Sequence, residues 1–568
     1  MPPSRPLDMP VQDFTHPFVD PDAPQRPAEP FIWTKRALIL LPALLITATL
    51  GAVFARWLSF DGFTPCGVIW IALICVTFFW VSFVFCLSLS GALALQRSKG
   101  KPGDGAALTP PLNVAILMPV YDEDVAEVFA SLLAMQDDLD SHLHHHNFSA
   151  FVLSDSQTPK IIEYERRAYD QARMTRQSSS PLYYRHRDDN RGYKAGNLDQ
   201  WVRGWGTGYD AMLVLDADSL MNADAILRLT NTLARNPGLG LVQGALHVFR
   251  GRRLFARLQQ FSSAAFGGLS ANGLGVWSGV EGNYFGHNAI IRTRAFAACA
   301  GLPDISTGPG RSTPIFSHDF VEAALLRRAG WGVKILPDLD GSYEQAPETL
   351  VDYIQRDRRW CRGNMQHLRI MSASGLHPIS RFHMFFNALG YLMSPIWLVL
   401  ILIWTWYGLS AGTTPDPTVP SHSILILVAV FAMLLAPKFI GAGLVLTSAQ
   451  KRRAFGGVAK FIASFFGELI MSMLIAPILM IHQTISVGRS LFRLPTRWGT
   501  STRPGVKRPL RVLLKFHAIE TVFGLALSAG IASGFVSPYL LPIAASLTLA
   551  PLLSYLSAVD LGDLTSGP

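Results

Sequence analysis

Asp216-Ala217-Asp218 closes an apolar run, Ala211–Leu215. Two carboxylates at that spacing, at the end of a buried strand, can hold a hard divalent cation, and Mg2+ is usually held by one or two carboxylates together with substrate phosphates. The same triplet also makes a solvated turn, so its neighbours matter. Asp122 and Asp155 follow apolar runs in the same way. His318-Asp319 opens a helical stretch, Phe320–Ala329. Asp there caps a helix, with Glu322 three residues on, and an Asp at a helix start beside a metal can also act as a general base. Arg356-Asp357-Arg358-Arg359-Trp360-Cys361-Arg362 sets four arginines around one tryptophan. Guanidinium forks bind pyrophosphate bidentately, with Trp360 free to stack on a sugar ring. The alternative is an interfacial helix whose basic face meets anionic lipid. Lys194-Ala195-Gly196-Asn197 precedes another helical stretch, where glycine lets backbone approach a ligand. The His-rich tract Ser141–His146 reads as a surface loop, and Arg250–Trp277 as a contact with a membrane surface.

These residues need a frame. Val114–Val120, Ala150–Leu153, Leu182–Arg187, Ala211–Leu215 and Leu239–Gln243 read as strands alternating with helical stretches. That alternation predicts an α/β domain with a mainly parallel sheet and helices on both faces. Ligands in such sheets bind beyond the carboxyl ends of the strands, where the acids fall.

The whole chain has 568 residues, 49% apolar and only 16% charged, with mean hydropathy +0.27. Soluble globular chains carry about 25% charge, so a wholly soluble protein and a disordered one are both excluded. Cys66, Cys75, Cys86, Cys299 and Cys361 have neither metal-ligand spacing nor the density of a disulfide scaffold. The net charge of +9 reads as membrane orientation, with no nucleic-acid partner expected. Apolar runs long enough to cross a bilayer, uncharged apart from Lys438 and Glu520, are Ala37–Ala55, Cys66–Leu95, Met384–Ala411, Ile424–Leu446, Phe516–Phe535 and Tyr539–Leu556. Lys451–Arg453 and the arginine-rich stretch from Arg489 to Lys515 mark cytoplasmic loops. Gly457–Val487 lies between them and contains Lys460, Glu468 and His482, so it is expected to lie in the interface.

The predicted organisation is a disordered cytoplasmic tail (1–34), two spans (35–96), a cytoplasmic α/β domain (97–345) and interface helices carrying the Arg/Trp block (346–383). Two more spans (384–447), an interface helix with a basic loop (448–515), two last spans (516–558) and a tail (559–568) complete it. Six spans put both termini inside; seven or eight stay open.

Taken in order, Pro119-Val120-Tyr121-Asp122-Glu123, Asp155, Lys194–Asn197, Asp216–Asp218, Ser317-His318-Asp319 and the Arg/Trp block resemble the processive membrane glycosyltransferases of family 2, the group of cellulose and hyaluronan synthases. The runs Phe151–Ser156, Leu215–Ser219, Gly286–Arg292, Ser317–Ala323 and Arg356–Cys361 are most similar to the glucosyltransferase H branch, which makes the periplasmic glucans of Gram-negative bacteria. The resemblance implies a GT-A (Rossmann-like) nucleotide-sugar domain inserted between transmembrane helices of the bacterial inner membrane, its catalytic domain cytoplasmic. It implies UDP-glucose as donor, Mg2+ (or Mn2+) as cofactor, inverting transfer into a growing β-1,2-linked glucan, and coupled export. Residue by residue, it implies Asp319 as catalytic base. Tyr121, Glu123, Asp155, Lys194, Asn197, Asp216, Arg356 and Arg359 would bind the donor. Trp360 and His318 would meet the acceptor, and Asp218 and Asp216 the metal. Phe492 and Thr496-Arg497-Trp498 loosely resemble a gating loop, with lipid headgroups as the alternative partner of those cations. Partners implied are membrane lipid, a periplasmic glucan-processing protein and acyl carrier protein. Three departures stand out: Asp122 replaces a usual Asn, Arg356 replaces the Gln of cellulose synthases, and the tail is shorter than in the best-known members. The rival readings are a synthase of another β-glucan such as a cellulose-like polymer, a polyprenyl-phosphate glycosyltransferase, and a transporter or sensor with a degenerate transferase domain.

Overall fold

The computed structural model describes residues 1–24, 29–58, 65–98, 109–175, 180–308, 311–410, 421–494 and 505–562. Two apolar helices come first, α1 (Ile32–Leu58) and α2 (Pro65–Ser98). The α/β domain begins with β1 (Asn113–Val120), α3 (Val125–Ser141), β2 (Asn147–Ser154), α4 (Pro159–Thr175), β3 (Leu182–His186), α5 (Tyr193–Trp205), β4 (Ala211–Val214), β5 (Leu220–Met221), α6 (Ala223–Arg235), β6 (Leu239–Gly244) and β7 (His247–Phe249). It continues through α7 (Leu254–Ser262), a π-helical turn (Ser263–Gly267), α8 (Gly268–Ser278), β8 (Ala289–Arg292), α9 (Thr293–Cys299), β9 (Ile305–Gly308), β10 (Arg311–Thr313), α10 (His318–Ala329), β11 (Gly332–Leu336) and β12 (Ser342–Gln345). Then come α11 (Leu350–Ile370), α12 (Pro378–Ser410), α13 (Ser421–Leu446), α14 (Ala449–Ala454), α15 (Val458–Leu491), α16 (Leu510–Phe516), α17 (Ala518–Ala532), α18 (Leu541–Thr548) and α19 (Ala550–Ser557).

All five strands read from the sequence are present. The main sheet has the order β11-β6-β8-β4-β1-β2-β3. β1 pairs in parallel with β2 and β4, and Val114–Met118 at its centre are completely buried, as an apolar run covered on both faces should be. Two strands of the main sheet are unforeseen: β11 at its edge, and β8, which runs antiparallel between β4 and β6 and makes the sheet mixed. Strand β8 delivers Gly286–Asn288 to the strand ends. A small sheet, β5-β12-β7, stands beside those ends and contributes Glu344 on β12.

The terminal segment corrects the expectation of a disordered tail. Residues 1–24 are laid against the back of the α/β domain. Met9, Gln12 and Asp20 are buried, and Val11 bridges to Gly301. Arg328 donates to Asp13 O (2.8 Å) and Gln12 Oε1 (2.7 Å), and the Trp331 indole N–H donates to Asp20 (3.0 Å). Proline-rich polar composition hid this, because the segment gains its order from partners on the domain.

By length and apolarity, Ile32–Arg56, Gly67–Arg97, Pro378–Trp406, Val428–Leu446 and Val458–Leu491 can each cross a bilayer. The last two expected spans are not straight: α16 and α17 meet at 75°, and Pro538–Thr548 meets α19 at 54°. The first break falls at His517, a fully buried side chain bonded to Ser554 Oγ (2.6 Å). No Pro or Gly marks it in Phe516-His517-Ala518.

Residues of α15 contact the catalytic side along its length. Phe461 and Phe465 cluster with Phe261 and Phe266, Ile475 and Ile478 pack with Phe255, Leu350 and Ile354, and Val487 packs with Cys361 and Met365. Two of its ionisable residues are paired, Glu468 with Lys438 (2.7 Å) and His482 with Glu520 (2.9 Å). The Thr496–Trp498 stretch lies outside the described residues.

Candidate active site

Asp122, Asp155, Asp216 and Asp218 each follow a strand, yet the structure gives them different tasks. Asp155, after β2, is buried and bound bidentately by Arg187, whose Nη2 lies 2.7 Å from Oδ2. Arg187 also donates to Tyr193 O (2.9 Å), fixing the turn before Lys194. Removing one partner of a buried pair costs about 3–5 kcal/mol, so Asp155 is in the first place a brace. Asp122 sits at φ +53°, and its Oδ1 accepts the N–H groups of Gln157 (3.1 Å) and Thr158 (3.0 Å). The amide oxygen of an Asn fills that acceptor role equally well, which accounts for the exchange at this position.

Asn197 departs from expectation. It is fully buried within α5, donates to Leu153 O (2.9 Å) and accepts from Arg185. Its side chain ties α5 to β2 and does not reach the cleft. Lys194, one turn earlier, does: its ammonium contacts Asp216 and donates to Gly286 O (2.7 Å).

Asp216 is the centre of the cluster. Besides Lys194, the His287 ring lies 3.5 Å away, and that ring's Nε2 is 3.0 Å from Glu344 Oε2. Arg356 stands 3.9 Å beyond Glu344. Burial pushes Asp216 toward protonation, but the Lys194 and His287 charges hold it well below the usual carboxylate range. Asp218 has no such partner. Burial and then the Asp216 charge push it up to about 6. Glu123, after β1, is pushed up to about 7 by burial, then by Asp218 and Asp216, with Arg359 opposing. Three acids thus share one wall with an excess of negative charge at its Asp218 end.

Asp319 reaches the same wall from α10. Gly286, at φ +92°, runs so close that a Cβ there would stand 3.4 Å from Asp319 Oδ2. Gly286 therefore accepts from Lys194 through its carbonyl and leaves just the room of a van der Waals contact between a side chain and Asp319. Burial raises the Asp319 pKa, and His318 opposes this. His318 itself is nearly buried and bonded to Glu322 (2.9 Å), so it acts on Asp319 more than it faces the opening.

Helix α11 closes the site. Arg356 lies over the Trp360 ring at 4.5 Å, and Trp360 keeps 43% of its surface exposed. Tyr121 is exposed at the opposite lip. The same helix grips the start of α10: His367 Nε2 lies 3.0 Å from Ser317 O, and Gln366 bonds Phe316 N (2.9 Å) and Pro314 O (3.0 Å). Asp216, Asp218, Glu123, Lys194, Asp319, Arg356, Arg359 and Trp360 therefore converge. Asp155 and Asn197 support them from behind. Sequence reasoning gave no role to His287, Glu344 or Arg187. Gly286-His287-Asn288 stood out as a run, but nothing local pairs it with β12.

The chain matches the family model "Glycosyl transferase family 2" over residues 115–299 and "Glycosyl transferase family group 2" over 211–437. A Shewanella oneidensis protein named glucans biosynthesis glucosyltransferase H is 37% identical over 551 residues, covering 93% of this chain and 75% of that protein. A protein of the same name from Shewanella sp. (strain W3-18-1) is 38% identical over 512 residues, covering 87% and 70%. Among solved structures, a mannosyltransferase of Pyrobaculum calidifontis, in complex with GDP-Man and Mn2+, aligns at TM-score 0.38 and 15% identity over 70% of this chain and 99% of that one.

Proposed function

The chain belongs to the glucans biosynthesis glucosyltransferase H family, within glycosyltransferase family 2, and from that premise we propose that it transfers glucose from UDP-glucose, with inversion, onto a growing β-1,2-linked glucan that is exported through its membrane helices. The carrying observation is the continuous chain Lys194–Asp216–His287–Glu344–Arg356, with Asp319 set against it across Gly286.

A divalent cation fits this wall. Asp218 and Glu123 are both driven toward protonation, first by burial and then by neighbouring negative charge, and a hard cation relieves the second of these. Asp218, with Asp216 beside it, would hold Mg2+ or Mn2+ together with the donor diphosphate. The metal supplies charge neutralisation for the departing UDP.

The chain's own residues do the rest. Arg356 and Arg359 grip the diphosphate with guanidinium forks. Tyr121 and Glu123 take the nucleoside side of the cleft, with Asp155 behind them. Lys194 keeps Asp216 ionised. Trp360 floors the acceptor. Asp319 accepts the proton of the attacking hydroxyl while the bond between the anomeric carbon and UDP breaks. A single displacement turns an α-linked donor into a β-linked product. The catalytic domain faces the cytoplasm of the inner membrane, where UDP-glucose is made.

Membranes supplied with UDP-glucose and Mg2+ should yield a β-1,2-linked glucan. Asp319→Asn should cut turnover by about 10²–10⁴-fold while UDP still binds. Wild-type yield from that variant would remove Asp319 as base, and a β-1,4 product would move the chain to the cellulose-like reading.

A further inference from the structure

Half of the Arg/Trp block points away from the cleft. Arg356, Arg359 and Trp360 stand at i, i+3 and i+4 and share one face of α11. Asp357 and Arg358 lie on the other face, against the membrane helices. Asp357 accepts from the Tyr391 hydroxyl of α12 (3.0 Å) and from Gln483 Nε2 of α15 (3.0 Å). Arg358 Nη2 lies 3.0 Å from His482 Nδ1 of α15, and its guanidinium rests over the Phe516 ring at 5.4 Å.

The direction of this contact is fixed by chemistry. A guanidinium only donates, so His482 Nδ1 carries the lone pair and Nε2 carries the proton. That Nε2 is 3.4 Å from His517 Nδ1 and 2.9 Å from Glu520 Oε1. His517 Nε2 is in turn 2.6 Å from Ser554 Oγ of α19. The N–H donors of Arg358, His482 and His517 then point the same way and end on Ser554 Oγ, with the Glu520 carboxylate alongside. His482, His517, Glu520 and Ser554 are all buried. Ionisable groups at such depth are costly unless each has a partner.

We propose that Arg358, His482 and His517 form a one-way hydrogen-bonded relay that seats α11 on the membrane helices, and so positions Arg356, Arg359 and Trp360 over the donor. These are positioning residues; the inference rests on the reading of Arg356 and Arg359 as diphosphate ligands. The relay ends where α16 and α17 bend, so the clamp over the nucleotide and the bent helices are held by the same bonds. His482, His517 and Glu520 also offer three atoms within 4.8 Å of one another, a spacing a metal ion can use. Arg358 argues against that: it leaves the His482 nitrogen that would bind the metal protonated, and it places a fixed positive charge next door.

The test uses the full chain in detergent, comparing His482→Ala with His482→Gln. A glutamine side chain both accepts and donates, so it keeps the relay; alanine breaks it. His482→Ala should speed amide hydrogen exchange across Leu350–Ile370 about tenfold and raise the UDP-glucose KM about tenfold, with His482→Gln close to wild type in both. Wild-type exchange in the alanine variant would overturn the relay. So would equal damage from both substitutions, or a stoichiometric transition metal in the purified protein that the alanine variant loses. The exchange measurement needs no substrate. It therefore decides the relay even where UDP-glucose proves not to be the donor.

Discussion

Asp216 and Asp218 are two residues apart and have opposite electrostatic fates. The first has Lys194 and His287 beside it and stays ionised; the second has Asp216 itself as its strongest neighbour and is driven toward protonation. A pair of identical side chains is thereby divided into a fixed anion and a site short of positive charge. Asp319 is governed by the same forces. Burial lifts its pKa above the usual carboxylate value, Glu322 adds to the lift, and His318 resists it. A base must be ionised to accept a proton, so turnover should fall as pH drops through this raised pKa, giving an acid limb above that of an ordinary Asp. His318→Ala removes the opposing charge and should carry the limb to still higher pH. Initial rates across about pH 4–8, from the ordinary carboxylate range upward, check this. A limb that stays put or moves down would show that His318 does not set the ionisation of Asp319.

Between elements, the closest approach in the site is that of α11 to the start of α10. A Cβ on Gly363 would lie 2.1 Å from Ser317 Oγ and 2.7 Å from Ser317 N. Gly363→Ala must therefore push α11 off the helix that carries Asp319. Overpacking of this kind costs about 1–3 kcal/mol, and the loss of turnover should exceed what the lowered melting temperature explains. Wild-type turnover at a lowered melting temperature would mean that the two helices need not touch. Legibility in the sequence divides between the local and the long-range in the same way. The Asp216–Asp218 triplet, His318-Asp319 and the Arg/Trp block stand out because each is a local pattern: the first closes an apolar run, the second opens a helical stretch, and the third gathers four arginines around a tryptophan. Most of the strands were legible because runs such as Val114–Met118 are buried on both faces; the edge strand β3 is only half-buried. His287 and Glu344 were not, since their pairing depends on β8 entering antiparallel and β12 lying in a second sheet. Asn197 was misassigned for the converse reason: its neighbour Lys194 does reach the cleft, and one helical turn separates a ligand from a brace. The bend at His517 escaped a hydropathy reading, which registers apolarity and not the direction of the backbone.

At the scale of the molecule, two contacts set the topology. Residues 1–24 lie on the α/β domain, so the chain's start and its catalytic domain share a side, and α1 and α2, each long and apolar enough to cross, fit an outward and a return pass. The segment also binds Arg328 and Trp331 at the far end of α10, so the helix that presents Asp319 is held at both ends, by α11 at one and by the N-terminal strap at the other. Helix α15 sets the orientation of the C-terminal helices. At 34 residues it is about 51 Å long, more than the roughly 30 Å a bilayer core requires, and length alone would make it a span. Its contacts argue otherwise: Phe461 near one end meets Phe261 at 5.6 Å, and Val487 near the other packs on Cys361 of α11. Both partners emerge from the catalytic domain, and a helix crossing the membrane once cannot return its two ends to the same face. Cysteines placed at Ser448, at the start of α14 ahead of α15, and at Ser490, at the far end of α15, should therefore be labelled by an impermeant thiol reagent only from the side that bears the catalytic domain. Labelling of the two from opposite sides would make α15 a true crossing and would reverse the orientation of every helix after it.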